Sequence, residues 1–170
     1  MGKNGTEVVA IFGGSFDPPH FGHFSVVKEA LKVLNIDTLI VVPTFLNPFK
    51  IISHFSVKER FELTTNLFSS LERVRVDEYE IKEQRATPTA QTVKHFQKRY
   101  SVKYLIIGAD NLENIEKWHE FEWLNSQIIW VVATRDGYFL KSDKLRDYII
   151  LNIDVNISST EIRKTIKGKI

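Results

Sequence analysis

Val8-Val9-Ala10-Ile11-Phe12-Gly13-Gly14-Ser15-Phe16-Asp17-Pro18-Pro19-His20-Phe21-Gly22-His23 is the stretch that decides the fold. The run from Val8 to Phe12 is apolar without alternation, the pattern of a strand covered on both faces. It breaks at Gly13-Gly14, turns through Pro18-Pro19 and sets His20 and His23 where a helix should begin. Strand, glycine turn and helix start together have the character of an anion site. Glycine lets the backbone approach a ligand closely, and the first turn of a helix offers unpaired N–H groups and the positive end of a dipole. Two imidazoles three residues apart add donors on the same side.

Outward from this stretch the chain alternates. Val27, Ala30, Leu31 and Leu34 recur at helical spacing, so a helix is expected from near Gly22 to Leu34, followed by the strand Leu39-Ile40-Val41-Val42 that Pro43 ends. Ser56 and Glu59 have the spacing of a capping box, and Phe61, Leu63, Leu67 and Phe68 are expected to form the buried face of the helix it opens. Val74 and Val76 alternate with Arg73, Arg75 and Asp77 as a half-exposed edge strand, and Arg85 to Thr89 reads as a loop. Thr89 is expected to cap a helix bearing Val93 and Phe96, ahead of the buried strand Tyr104 to Ile107. A helical region from Leu112 to Leu124, a strand from Ile128 to Ala133, a turn at Asp136-Gly137 and a last strand from Tyr148 to Leu151 complete the alternation. Ser158-Ser159-Thr160 then supplies hydroxyls at the start of a final helix. Apolar strands separated by helices predict an α/β domain with a doubly wound parallel sheet, occupying residues 1–170 as a single domain. In such folds ligands bind beyond the carboxyl ends of the strands, where Gly13 to His20, Pro43 to Lys50, Gly108 to Asp110 and Thr134 to Gly137 fall.

Composition limits the chemistry. The chain has no cysteine, which removes disulfides, thiolate metal sites and thiol nucleophiles and fits a reducing cytoplasm. Hydrophobic residues at 43%, charged residues at 26% and a net charge of +2 are ordinary globular values and give no reason to expect a nucleic-acid partner. The apolar runs are far shorter than the roughly 20 residues of a membrane span, so a soluble protein without membrane contact is expected. Gly2 and Thr6 fit the loose myristoylation pattern, which a polar leader explains equally well. A metal at His20 and His23 would need a third ligand, and none is near in sequence.

Gly14-Ser15-Phe16-Asp17-Pro18-Pro19-His20-Phe21-Gly22-His23 resembles the G-x-F-D-P-x-H-x-G-H signature of the nucleotidyltransferase superfamily, and Ile157-Ser158-Ser159-Thr160-Glu161-Ile162-Arg163 resembles its second signature, I-S-S-T-x-I-R. Gly108-Ala109-Asp110 with Trp118 is similar to the G-x-D-x7-W element of bacterial nicotinate mononucleotide adenylyltransferases. Pro48 to Lys50, Thr89 to Thr92 and Thr134-Arg135 agree with the same family. Phe49 stands where the family usually has histidine and Pro88 where it often has tyrosine, so a contact at position 49 loses a donor while Lys50 keeps the charge.

The resemblance implies a Rossmann-like nucleotidyltransferase fold and transfer of an adenylyl group from ATP to nicotinate mononucleotide, with Mg²⁺ carried on the ATP. It assigns His20, His23 and Arg163 to catalysis. Gly13, Gly14, Ser15, Phe16, Gly108, Asp110, Ser158, Ser159 and Thr160 are expected to bind ATP, and Lys50, Thr89, Trp118 and Arg135 the acceptor. Trp118 would stack on the pyridine ring, and the helix start at Ala86 to Thr89 would favour the acid form over the amide. Another adenylyl or cytidylyl transferase of the superfamily, or a nucleotide-binding regulator without turnover, are the alternatives. A dinucleotide-dependent dehydrogenase is disfavoured, because no G-x-G-x-x-G follows the first strand. Oligomeric state cannot be read from the sequence.

Overall fold

The computed structural model describes residues 5–46, 54–135 and 142–153. Six strands form one parallel sheet: β1 (Val8–Gly14), β2 (Thr38–Pro43), β3 (Val74–Val76), β4 (Ser101–Gly108), β5 (Ile129–Arg135) and β6 (Tyr148–Ile153), in the order β3-β2-β1-β4-β5-β6. The sheet grows from β1 in one direction and then returns to the other side of β1 with β4. That reversal opens a crevice beyond the carboxyl ends of these two strands, which are Gly14 and Gly108.

Successive side chains of a strand face opposite ways, so the apolar run of β1 feeds two cores. Val9 and Ile11 join Ile40, Leu105 and Val132 on one face, under Val93 and Phe96 of α4 (Thr89–Gln97) and Leu124 of α5 (Phe121–Gln127). Ala10 and Phe12 face the other way, with Leu39, Val41 and Ile106, under Val26, Val27 and Ala30 of α1 (Phe21–Val33) and Phe68 of α2 (Val57–Phe68). The doubly wound parallel α/β arrangement expected from the sequence is therefore present.

Four local readings are corrected. The region from Leu112 to Leu124 is not one helix: a 3₁₀ segment (Ala109–Lys117) is interrupted at Asn114, and Glu120, with a left-handed φ of 54°, separates it from α5. The segment before Arg85 holds a short helix, α3 (Tyr79–Glu83), which local patterning did not reveal. The cap of α4 is Pro88, and Thr89 is its first helical residue. The capping box of Ser56 and Glu59 forms as expected, but the helix it opens buries Arg60, Thr64 and Phe68 and leaves Leu63 exposed. An arginine can occupy that face because two of its guanidinium nitrogens are paired there, donating to the carbonyls of Ser15 at 2.7 Å and Phe45 at 2.9 Å, while its buried Nε has no partner among the described residues.

Candidate active site

The turn after β1 is built by close packing. Phe16 adopts a left-handed φ of 48° and buries its ring edge-on against Phe12 (centroids 5.4 Å apart) and His23 (4.8 Å). A side chain at Gly14 would meet the Phe16 ring at 3.3 Å, so the turn needs glycine there. The next peptide, Asp17-Pro18, is cis. Asp17 is buried and its carboxylate accepts from the backbone N–H groups of His54 (2.7 Å) and Phe55 (2.8 Å). With Arg60 holding Ser15, the turn is fastened to α2 and to the segment leading into it.

His20 is the N-cap of α1. Its Nδ1 accepts from the Gly22 N–H at 3.0 Å, while Nδ1 of His23 accepts from the His20 N–H at 3.0 Å, a capping box made from two imidazoles. The rings stack with centroids 3.9 Å apart. An imidazole nitrogen that accepts carries no proton, so in both rings the neutral form bears its hydrogen on Nε2. Burial, helped by the neighbouring His20, lowers His23 to about 3. His23 therefore offers its hydrogen as a neutral donor rather than as a cation.

Across the crevice, Gly108 ends β4 and Asp110 stands exposed at the start of the 3₁₀ segment. A side chain at Gly108 would lie 2.7 Å from Asp110 Oδ1, so the missing Cβ is what allows the carboxylate to fold back against the strand end. Asn111 closes the same turn by donating to the Gly108 carbonyl at 3.1 Å.

A cavity of about 550 Å³ joins these parts. It brings together Gly13, Gly14, Ser15, Phe16, His23, Gly108, Asp110, Thr89 and Trp118. His20 is stacked on His23, which lines the cavity. Trp118 is half-buried and packs edge-on against Trp130 at 6.0 Å, so it both supports the core and forms the cavity wall. Arg135 is the last residue of β5. Lys50, Ser158, Ser159, Thr160 and Arg163 lie outside the described residues, as do Gly2, Phe49 and the turn at Asp136-Gly137.

Sequence reasoning did not single out Glu80, Thr87, Lys117 or His119, all of which line the cavity, or Arg60, which supports it from below. The usable signal for Lys117 and His119 was their position on either side of Trp118. For Glu80 it was Thr92, whose hydroxyl reaches it from α4.

A glycine turn with paired imidazoles after the first strand, and a carboxylate after the fourth, define a nucleotide-handling α/β protein. In accord with this, residues 11–165 match the family described as Cytidylyltransferase-like. A "Probable nicotinate-nucleotide adenylyltransferase" of Sulfurovum sp. (strain NBC37-1) is 53% identical over 156 residues, covering 92% of this chain and 83% of the relative. A protein of the same name from Aliarcobacter butzleri (strain RM4018) is 46% identical over 163 residues, covering 95% and 88%. Among solved structures, Plasmodium falciparum nicotinic acid mononucleotide adenylyltransferase complexed with NaAD superimposes with a TM-score of 0.71 at 25% identity, over 93% of this chain and 83% of that one. The chain belongs to the nicotinate-nucleotide adenylyltransferase family.

Proposed function

We infer that the protein joins nicotinate mononucleotide to the adenylyl group of ATP. A phosphate oxygen of the mononucleotide attacks the α-phosphorus in line, the bond from the α-phosphorus to the bridging oxygen breaks, and pyrophosphate leaves with that oxygen. Such a transfer needs positioning and charge stabilisation more than covalent help. The observation that carries the reading is the reciprocal cap of His20 and His23. It fixes two imidazoles that accept at Nδ1 and so turn Nε2 into the donating nitrogen, beside backbone amides of a glycine turn.

In this reading those donors meet the α- and β-phosphates, and Asp110 accepts from the ribose hydroxyls. Trp118 stacks on the pyridine ring. No side chain caps α4, so its first-turn N–H groups at Thr89 and Ala90 suit the nicotinate carboxylate. Ser158, Ser159, Thr160 and Arg163 take the β- and γ-phosphates by their place in the second signature, and Lys50 and Arg135 add cationic charge near the acceptor.

A divalent cation fits this donor set only as cargo of the nucleotide. Among the described residues no three His, Asp or Glu side chains gather to hold a metal ion, whereas N–H donors suit phosphate oxygens. Mg²⁺ riding on the triphosphate would neutralise part of its charge. We further infer that the protein works in the cytoplasm as a single nucleotidyltransferase domain without nucleic acid, on the composition given above.

The test is pyrophosphate release from ATP and Mg²⁺ with nicotinate mononucleotide, nicotinamide mononucleotide, pantetheine phosphate and choline phosphate as separate acceptors. Turnover with nicotinate mononucleotide above the others is expected. Faster turnover with any other acceptor, or none with all four, overturns the reading.

A further inference from the structure

Glu80 is a buried carboxyl that adenylyl transfer as described leaves without a task. It belongs to α3 and is 4% exposed. Its Oε2 accepts from Thr92 Oγ1 at 2.7 Å, and Thr92, itself 1% exposed, stands in the first turns of α4. Among the described residues no second hydrogen bond reaches this carboxyl, so Oε1 has no protein partner. Glu80 also lines the cavity in company with Thr87, Pro88, Thr89 and Trp118. A carboxyl buried to this degree, with one oxygen unmatched in the wall of the cavity, points to a ligand group.

The charged groups nearby are occupied elsewhere. Beside it on α3, Lys82 pairs with Glu78, Glu83 with Arg85, and Asp77 accepts from the Tyr79 N–H. On α4, Lys94 pairs with Glu120 and His95 stacks on Tyr79. Across the cavity stand Asp17, His23, Asp110, Lys117 and His119. None of these charges shifts the Glu80 carboxyl, which burial pushes up to about 7 against a smaller opposing pull from the Thr92 hydroxyl.

We propose that Glu80 reads the substituent on the pyridine ring of the acceptor, donating a hydrogen bond to a carboxylate when neutral and accepting one from a carboxamide when ionised. This rests on the nicotinate reading above. The preference for acid over amide is then a function of pH. A neutral Glu80 meets the nicotinate carboxylate as a donor, whereas an ionised one repels it.

The experiment is the ratio of kcat/KM for nicotinate mononucleotide to that for nicotinamide mononucleotide, measured from about pH 6 to about pH 8. The phosphates of the two acceptors titrate alike, so the ratio removes them. A group titrating near 7 is about nine-tenths protonated at the lower end and about one-tenth at the upper. Acid turnover follows the neutral fraction and amide turnover the ionised fraction, so the ratio should fall roughly a hundredfold across the range. Glu80→Gln, which cannot ionise, should give a flat ratio. Thr92→Val, which removes the hydroxyl that favours the ionised form, should move the inflection to higher pH. Calorimetry in two buffers near pH 7 should show net proton uptake on binding the acid acceptor relative to the amide, and none in Glu80→Gln. A flat wild-type ratio with product still formed, or an unchanged slope in Glu80→Gln, overturns this inference and leaves the nicotinate reading standing. Absence of pyrophosphate with both acceptors overturns the two together.

Discussion

The paired imidazoles allow capping and chemistry to be separated by one pair of variants at His20. His20→Ala removes the acceptor for the Gly22 N–H and the ring stacked at 3.9 Å on His23. Loss of an N-cap costs about 1 kcal/mol, and a stacked ring pair about 0.5–1.5 kcal/mol. The melting temperature should thus fall by roughly 3–10 °C, at about 2–4 °C per kcal/mol for a chain of this length. His20→Ser restores a hydroxyl that can accept from the first turn and should recover about 1 kcal/mol of that loss. Neither variant has an Nε2–H, so turnover in both should fall about a hundredfold, which corresponds to about 2.7 kcal/mol of lost transition-state stabilisation. Thermal unfolding and pyrophosphate release on the same preparations give both quantities. If turnover recovers in His20→Ser along with the melting temperature, His20 acts through the helix cap alone and its role at the phosphates is wrong.

Gly108→Ala would place a Cβ 2.7 Å from Asp110 Oδ1, the movable end of a side chain, so stability should change by less than about 1 kcal/mol while the KM for ATP rises several-fold at nearly constant kcat; an unchanged KM would remove Asp110 from the ribose. Arg60→Met strips the Ser15 and Phe45 carbonyls of their donor and removes the guanidinium charge that acts on Asp17, and should destabilise by roughly 3–5 kcal/mol in urea titrations. His23 is held at about 3 against an unfolded value near 6.5, so the unfolded state binds the extra proton between these values and stability drops by about 1.4 kcal/mol per unit as pH falls through that window. Glu80, raised from 4.5 to about 7, has the opposite sign: the folded state holds the extra proton, and stability falls as pH rises from 4.5 towards 7. The two slopes cancel between about 4.5 and 6.5, so Glu80→Gln should uncover the His23 slope there and be more stable than wild type above pH 7, and parallel curves for the two proteins would contradict both assignments.

What the sequence made legible was whatever local spacing encodes. Five of the six strands lie within two residues of their expected bounds, and β4 begins three residues earlier than expected, because strands buried on both faces leave an unbroken signal at their centres and a weaker one at their ends. The glycine turn, Asp110 and Trp118 line one cavity beyond the strand ends, where a doubly wound sheet takes its ligands. The buried face of α2 was not legible. Arg60 reads locally as a solvent residue and becomes a core residue only through carbonyls far away in sequence. Nor was α3, whose five residues span too little of a helical period to show one. Whether His20 and His23 cap a helix or serve the site had been a choice between readings. In the structure both histidines take part in the cap of α1, and that capping sets which ring nitrogen donates.

The place of β1 in the sheet has a consequence for how the protein is made. On one side β1 pairs early in the chain, Val9 opposite Thr38, but on the other side it waits for Ser101. During synthesis an apolar strand edge therefore stays open until more than half of the chain has emerged, the situation in which nascent proteins seek chaperones or stick to one another. The glycine turn borne by β1 is then among the first pieces synthesised and among the last to be set firmly in place.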